Sequence, residues 1–124
     1  LEQGVNFVLS SINTMKGGEI FIPKIPSMRI TDIAKHMMPD TQHEVIGIRP
    51  GEKLHEVLIT EDDGRSTYEL DDRYIIESSL NQAELEDGVY GNTSKVKDGF
   101  YYDSKSNKDW ITNDDFIKLL TPLE

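Results

Sequence analysis

An arginine and a glutamate stand three residues apart in the segment Arg49-Pro50-Gly51-Glu52, directly after an apolar run. A guanidinium can bind a phosphate through two parallel hydrogen bonds, and a carboxylate can accept hydrogen bonds from two sugar hydroxyls. Pro50 fixes its own φ and favours extended backbone at Arg49, while Gly51 permits close backbone approach. We expect a short helix to begin at Glu52. The pattern predicts a stiff turn that presents a phosphate-binding cation beside a carboxylate.

The same side chains also have a simpler interpretation. Arg49 could pair with Glu52 or Glu56 at the surface, a contact that contributes about 0–1 kcal/mol when exposed. Glu52 could instead favour a helix N-terminus. Lys24 and Lys53 could be solvated surface residues. Spacing alone leaves both interpretations open.

Other candidate residues are equally ambiguous. His55 could contact a ligand or pack under the loop, and Met28 could line a site or belong to the core. The aromatic residues Tyr101, Tyr102 and Trp110 are typical of a core or an interface, ahead of a base-stacking platform. We therefore hold ligand binding and packing as alternatives at each of these positions.

Several reaction classes lack their usual residues. The chain has no cysteine, which removes disulfides, thiolate catalysis and cysteine-bound zinc. It has no Gly-x-Ser-x-Gly elbow, no Gly-x-Gly-x-x-Gly loop and no Walker A sequence. The acidic run at residues 61–63 is contiguous rather than spaced like an EF-hand, and a solvated turn explains it. We therefore predict no catalytic, cofactor-binding or metal-binding residue in this chain.

Net charge and hydropathy restrict the classes of partner expected for this chain. The net charge of −10, from 23 acidic and 13 basic residues, would repel a phosphate backbone, so nucleic acid is not expected as a partner. No apolar run approaches the roughly 18–20 residues of a membrane span, and no signal peptide heads the chain. We expect a cytoplasmic protein. The chain begins without methionine in a helical pattern, as a piece of a longer protein would.

Periodicity predicts an α/β fold of the α+β kind. The predicted elements are a helix at 1–16, a strand at 19–22, a helix spanning residues 30–37, a strand at 45–48, a hairpin of 67–70 with 74–77, an irregular segment at 78–99, a strand at 100–103 and a closing helix from 112. The acidic run Glu61–Gly64 is predicted as a linker. If the first two strands were parallel, the loops that follow them would share one sheet edge. We expect one lobe over residues 1–124, with an α/β part at 1–58 and the remaining elements at 59–124.

Two longer motifs carry a family resemblance. The first is Gly-Glu-Ile-Phe-Ile-Pro-Lys-Ile-Pro-Ser-Met at residues 18–28, and the second is Gly-Ile-Arg-Pro-Gly-Glu-Lys-Leu-His-Glu at residues 47–56. In this order and spacing they resemble the C-terminal part of the inverting UDP-N-acetylglucosamine 4,6-dehydratases, which are extended short-chain dehydrogenase/reductases of polysaccharide biosynthesis that begin pseudaminic acid synthesis. The likeness extends to Trp110 and the closing helix and is weakest over residues 78–99.

The resemblance implies roles for individual residues. Arg49 would hold the pyrophosphate of a UDP-sugar and Glu52 the uridine ribose. Lys24 and Met28 would support the loop over the nucleotide sugar, and Lys53 and His55 complete the expected substrate-binding set. Family members use NADP bound to a Rossmann domain, which we expect upstream of this chain together with the Tyr-x-x-x-Lys catalytic pair. The implied parent enzyme is a homo-oligomer, and this chain alone would transfer no hydride.

Two alternatives stay open. A retaining dehydratase or a UDP-sugar epimerase usually carries a Leu-Arg-Pro-Gly-Glu-Lys-Leu-Tyr-Glu-Glu motif and lacks the proline-rich loop, whereas this chain has His55 and Val57 at the differing positions. That difference favours the inverting enzyme. The second alternative is a stand-alone binding or assembly domain in which the Arg49 turn serves protein contacts.

Overall fold

The computed structural model describes residues 1–78, 90–91 and 93–120. These residues belong to two compact units, one formed by Leu1–Lys24 and Leu58–Tyr101 and the other by Ile25–Val57 and Tyr102–Glu124. Most of the segment predicted to be irregular lies outside the described residues. The single lobe over 1–124 stays a prediction.

Four helices and six strands make up the described part of the chain. The helices are α1 at Glu2–Thr14, α2 at Ile30–Met37, α3 at Glu61–Gly64 and α4 at Asn113–Leu120. The strands are β1 at Ile20–Pro23, β2 at Val57–Ile59, β3 at Thr67–Glu69, β4 at Arg73–Ile76, β5 at Ser94–Lys95 and β6 at Tyr102–Asp103. Both predicted amphipathic helices, the hairpin and the closing helix are confirmed within two residues at most ends.

A four-stranded antiparallel sheet forms the first unit. Its strand order is β1-β4-β3-β5, so β4 pairs on both sides. Ile75 of β4 faces Phe21 on one neighbour and Tyr68 on the other. Ile59, Thr67 and Ile75 have no exposed surface, and they mark the centre of this unit's core.

Helix α1 contacts the sheet through polar side chains. Arg73 is 6% exposed and donates hydrogen bonds of 2.7 Å to the hydroxyls of Ser10 and Ser11. Its guanidinium also lies 4.5 Å from the ring centre of Phe7. The apolar side chains of the helix are mostly half exposed: Val5, Val8, Leu9 and Ile12. The amphipathic pattern is therefore real, but the described residues do not bury its apolar stripe.

The second unit combines α2, α4, β6 and the loop from Ile25. His36 on α2 packs edge-on against Phe116 on α4, with 5.6 Å between ring centres. The closing helix starts as predicted, since the Thr112 hydroxyl accepts a hydrogen bond of 3.2 Å from the backbone N–H of Asp115. Phe116 and Tyr102 are the buried aromatic residues of this unit.

Three local predictions were wrong. Residues 45–48 form no strand, because Gly47 adopts φ of +82° and interrupts the extended backbone. The strand expected to run parallel to β1 is therefore absent, and β1 pairs antiparallel with β4, so the proposed shared edge of two parallel strands does not exist. Glu61–Gly64 is one helical turn rather than a linker, because Thr60 and Asp63 form a reciprocal capping box.

Candidate functional site

The Arg49–Glu52 segment forms a closed turn. The backbone N–H of Glu52 donates to the carbonyl of Arg49 at 3.1 Å, and Gly51 has φ of +86°. Proline at the second position and a glycine with positive φ at the third are the features of a type II turn. No helix begins at Glu52, because the chain continues as turn and irregular structure. The stiff turn predicted from the sequence is present.

The two charged side chains of this turn touch within it. The backbone N–H of Arg49 donates to the Glu52 carboxylate at 2.9 Å, and the Arg49 Nε lies 3.9 Å from the other carboxylate oxygen. Both side chains are largely exposed, at 72% and 51%. The ion pair is therefore loose, and a competing anion could displace it at little cost.

A cleft of about 760 Å³ lies in the second unit and collects most of the predicted ligand-binding residues. Met28, Glu52, Lys53 and His55 all line it. Arg49 lies in the adjoining turn and does not line the cleft in this conformation. His55 is exposed, so packing under the loop does not account for this side chain. Met28 is 36% exposed. The roles of these residues in binding stay predictions.

Lys24 is already paired within the first unit. Its ammonium group lies 2.7 Å from a carboxylate oxygen of Glu69 and 4.9 Å from the ring centre of Tyr74. Its backbone N–H donates to the carbonyl of Asp72 at 3.0 Å. The structure therefore shows Lys24 holding the end of β1 in place, and any ligand contact would compete with Glu69.

The loop that carries Met28 is fixed by long-range hydrogen bonds. Ser27 forms a parallel bridge with Trp110, donating its N–H to the carbonyl of Asp109 at 2.8 Å and accepting at 2.9 Å from the N–H of Ile111. The Asn107 side chain donates to the Ile25 carbonyl at 2.8 Å. This network holds one wall of the cleft before a ligand binds.

Sequence reasoning missed two cations of the cleft and left two positions open for an aromatic residue that also lines it. Arg29 and Lys105 line the cleft, and neither was singled out. Trp110 also lines it and is 42% exposed, which excludes the core position and leaves the predicted interface position open. A signal for Arg29 was available, because it directly follows Met28 at the end of the first family motif.

The Tyr-x-x-x-Lys spacing also occurs within this chain, at Tyr101 and Lys105. Side chains four residues apart face each other on a helix, yet the chain here forms β6 followed by a turn. The spacing therefore does not create a helical catalytic pair.

Among the described residues, no group of three or more histidines and carboxylates could hold a metal ion. None of the helices described is long and apolar enough to cross a membrane.

Comparison with known sequences assigns this chain to a protein family. The profile of the polysaccharide biosynthesis protein family matches residues 1–78, which is more than half of the chain. The chain belongs to this family. The resemblance first drawn from two motifs is thereby supported by a match that spans α1, the sheet hairpin and the Arg49 turn.

Two curated relatives of this polysaccharide biosynthesis chain are UDP-N-acetylglucosamine 4,6-dehydratases (inverting) of Campylobacter jejuni, from serotypes O:2 and O:23/36. Each is 45% identical over 129 aligned residues, covering 100% of this chain. The chain spans only 39% of the length of each relative. The match to inverting dehydratases confirms the resemblance.

A solved structure is similar across nearly the whole chain. The X-ray structure of Pen from Bacillus thuringiensis matches with a TM-score of 0.76 and 30% sequence identity. The match covers 96% of this chain and 36% of that one. The mixed helix-and-sheet fold predicted from the sequence is confirmed.

Proposed function

We propose that this chain is the UDP-sugar-binding portion of a UDP-N-acetylglucosamine 4,6-dehydratase that inverts C5. The observation that carries the proposal is the 45% identity, along the whole chain, to two dehydratases of that name. The cleft supports it, because an apolar wall beside cations and one carboxylate suits a nucleoside diphosphate attached to a sugar.

In this proposal the Arg49 turn changes partners when the ligand binds. The guanidinium leaves its loose contact with Glu52 and forms two hydrogen bonds to the pyrophosphate. The Glu52 carboxylate then accepts hydrogen bonds from the ribose hydroxyls. Lys53 adds a second positive charge, and Met28 and His55 provide surface for the remainder of the ligand. Lys24 acts indirectly, by holding the start of the loop.

The complete enzyme, in the same proposal, is a cytoplasmic homo-oligomer that serves polysaccharide or flagellin-glycan biosynthesis through pseudaminic acid. Its NADP supplies hydride chemistry on a Rossmann domain beyond these 124 residues. The residues present do not fit that cofactor, because they include no Gly-x-Gly-x-x-Gly loop. This chain therefore contributes recognition and orientation of the sugar nucleotide rather than proton or hydride transfer.

Two-dimensional amide NMR tests the proposal directly. Titration of the 124-residue chain with UDP-N-acetylglucosamine should shift amide signals around residues 47–56 with a millimolar dissociation constant, since part of the site is missing. Arg49→Ala should weaken binding about tenfold, because a charge-assisted contact is lost. Arg65→Ala is the matched control, since Arg65 is 79% exposed and lies in the first unit. A dispersed spectrum with no shifts at about 10 mM ligand would count against the proposal and favour an assembly role.

A further inference from the structure

Arg29 occupies an unusual electrostatic position among the arginines of this chain. The other three each pair with a carboxylate: Arg49 with Glu52, Arg65 with Asp62 and Arg73 with Asp72. Among the described residues, no aspartate or glutamate lies within salt-bridge distance of Arg29. Its guanidinium instead lies 5.6 Å from the ring centre of Trp110.

The Trp110 ring under Arg29 is itself fixed. Its indole N–H donates to the carbonyl of Asn107 at 2.8 Å, and the backbone on either side of Trp110 is bonded to Ser27. A guanidinium stacked on such a ring keeps its N–H donors free at its edge. Arg29 therefore lies over a fixed ring, and no carboxylate of the described residues uses its hydrogen-bonding capacity.

The cleft around Arg29 is locally positive. Its charged lining residues are Arg29, Lys53 and Lys105 against the single carboxylate of Glu52. The chain as a whole carries a net charge of −10. A surplus of cations concentrated in one cleft of an acidic protein favours an anionic ligand there, because binding depends on the nearby charges more than on distant screened ones.

We propose that Arg29, which lies over the Trp110 ring, is a phosphate-binding residue of the cleft. It binds the diphosphate of the sugar nucleotide through two N–H groups, and Arg49 contacts the same diphosphate from the neighbouring turn. This inference rests on the proposed function, because it requires a nucleoside diphosphate in the cleft. It adds a specificity element, since a planar fork held on an aromatic ring selects for phosphate oxygens and gains little from the nucleoside.

A ligand series separates phosphate binding from packing. The wild-type chain, Arg29→Gln and Arg29→Lys are titrated by amide NMR with uridine, UMP and UDP. Arg29→Gln should weaken UDP binding about tenfold, weaken UMP binding less and leave uridine binding unchanged. Arg29→Lys should recover part of the loss, because it restores the charge without the planar fork. Arg65→Gln removes an equal charge from the first unit and should behave like wild type.

Each of the other possible outcomes would contradict the inference, and each would do so for a different reason. Equal losses for uridine and UDP in Arg29→Gln would identify a packing role for Arg29. Wild-type UDP affinity in Arg29→Gln would overturn the inference and leave the proposed function intact. Absence of UDP binding to a folded wild-type chain would count against both. Preserved amide dispersion in each variant establishes that its fold is intact.

Discussion

The Arg73 guanidinium shows how a charge is buried in this small unit. Its Nε and one Nη donate to the two carboxylate oxygens of Asp72 at 2.9 and 2.7 Å, while hydroxyls of α1 accept its other hydrogen bonds. A buried arginine is stable only when its donors are satisfied in this way. The hydrogen bonds from Arg73 lower the pKa of Asp72 below its ordinary value of 3.8, although partial burial of the carboxyl group opposes the shift.

Asp72→Asn should change how the stability of the protein depends on pH. Because the pKa of Asp72 is lower in the folded than in the unfolded state, its stabilisation is present above 3.8 and is lost as pH falls through the folded-state pKa. We expect the variant to lose about 1 kcal/mol of unfolding free energy at pH 7, because the carboxylate is largely exposed. This loss should shrink towards zero as the pH falls from 3.8 through the folded-state pKa of Asp72.

Urea denaturation across this pH range measures the difference between the two proteins. Asp62→Asn is the matched control, because it removes a carboxylate from an exposed ion pair with an N–O distance of 3.6 Å. Its free energy of unfolding at pH 7 should stay within about 0.5 kcal/mol of wild type. A constant difference between Asp72→Asn and wild type down to pH 2 would contradict the assignment.

Residues of the site differ in how far the sequence could predict them. The Arg49–Glu52 turn was predictable because Pro50 and Gly51 determine its backbone locally. The ion pair of Lys24 was not predictable, because its partner Glu69 lies 45 residues away in the sequence. The contact of Arg29 with Trp110 was not predictable for the same reason, since the two residues are distant in the sequence and meet beside the bridge between Ser27 and Trp110. Local turn chemistry is encoded in neighbouring residues, whereas electrostatic partners depend on the completed fold.

At the scale of elements, periodicity succeeded where a segment satisfies its backbone hydrogen bonds locally. Helices α1 and α2 and the β3–β4 hairpin match their predicted patterns, although no residue of α2 is buried. The run at residues 45–48 has strand composition, but its Val45 and Ile46 side chains are 90% and 71% exposed. An apolar run becomes a strand only when another strand satisfies its backbone, and composition does not reveal that partner.

Two helical glycines should respond in opposite directions to the same substitution. A Cβ at Gly4 in α1 meets no atom within 4 Å, so Gly4→Ala should gain about 0.5 kcal/mol from helix propensity. A Cβ at Gly64 in α3 would clash with the backbone carbonyl oxygen of Phe100. Gly64→Ala should therefore lose about 2 kcal/mol or more, despite the higher helix propensity of alanine.

Urea unfolding at pH 7 compares both glycine variants with wild type. Each variant is the other's control, because the chemical change is identical and only the surroundings differ. The Gly64 prediction would be wrong if Gly64→Ala unfolded within about 0.5 kcal/mol of wild type, since the Phe100 backbone would then have moved aside easily.

Across the whole molecule, burial is unevenly distributed. The fully buried residues Ile59, Thr67 and Ile75 all belong to the first unit. In the second unit, the most buried aromatic residues retain 7–9% exposure, and the segment 40–56 is exposed throughout. Local stability follows the density of buried apolar contacts. The segment that carries the Arg49 turn should therefore open far more often than the sheet.

Native-state hydrogen exchange should resolve this difference. Hydrogen-bonded amides of β4 should exchange most slowly, because β4 pairs with strands on both sides and carries the buried Ile75. Amides of residues 41–48 should exchange fastest, since none of their N–H groups except that of Thr41 has a backbone partner within the described residues. Ile75→Val should accelerate exchange throughout the sheet, because Ile→Val in a core costs about 1 kcal/mol. Val45→Ala, at a 90% exposed position, is the control and should leave β4 unchanged. Equal protection of residues 41–48 and β4 in the wild-type chain would mean that the cleft wall is as stable as the sheet core, contrary to the burial pattern.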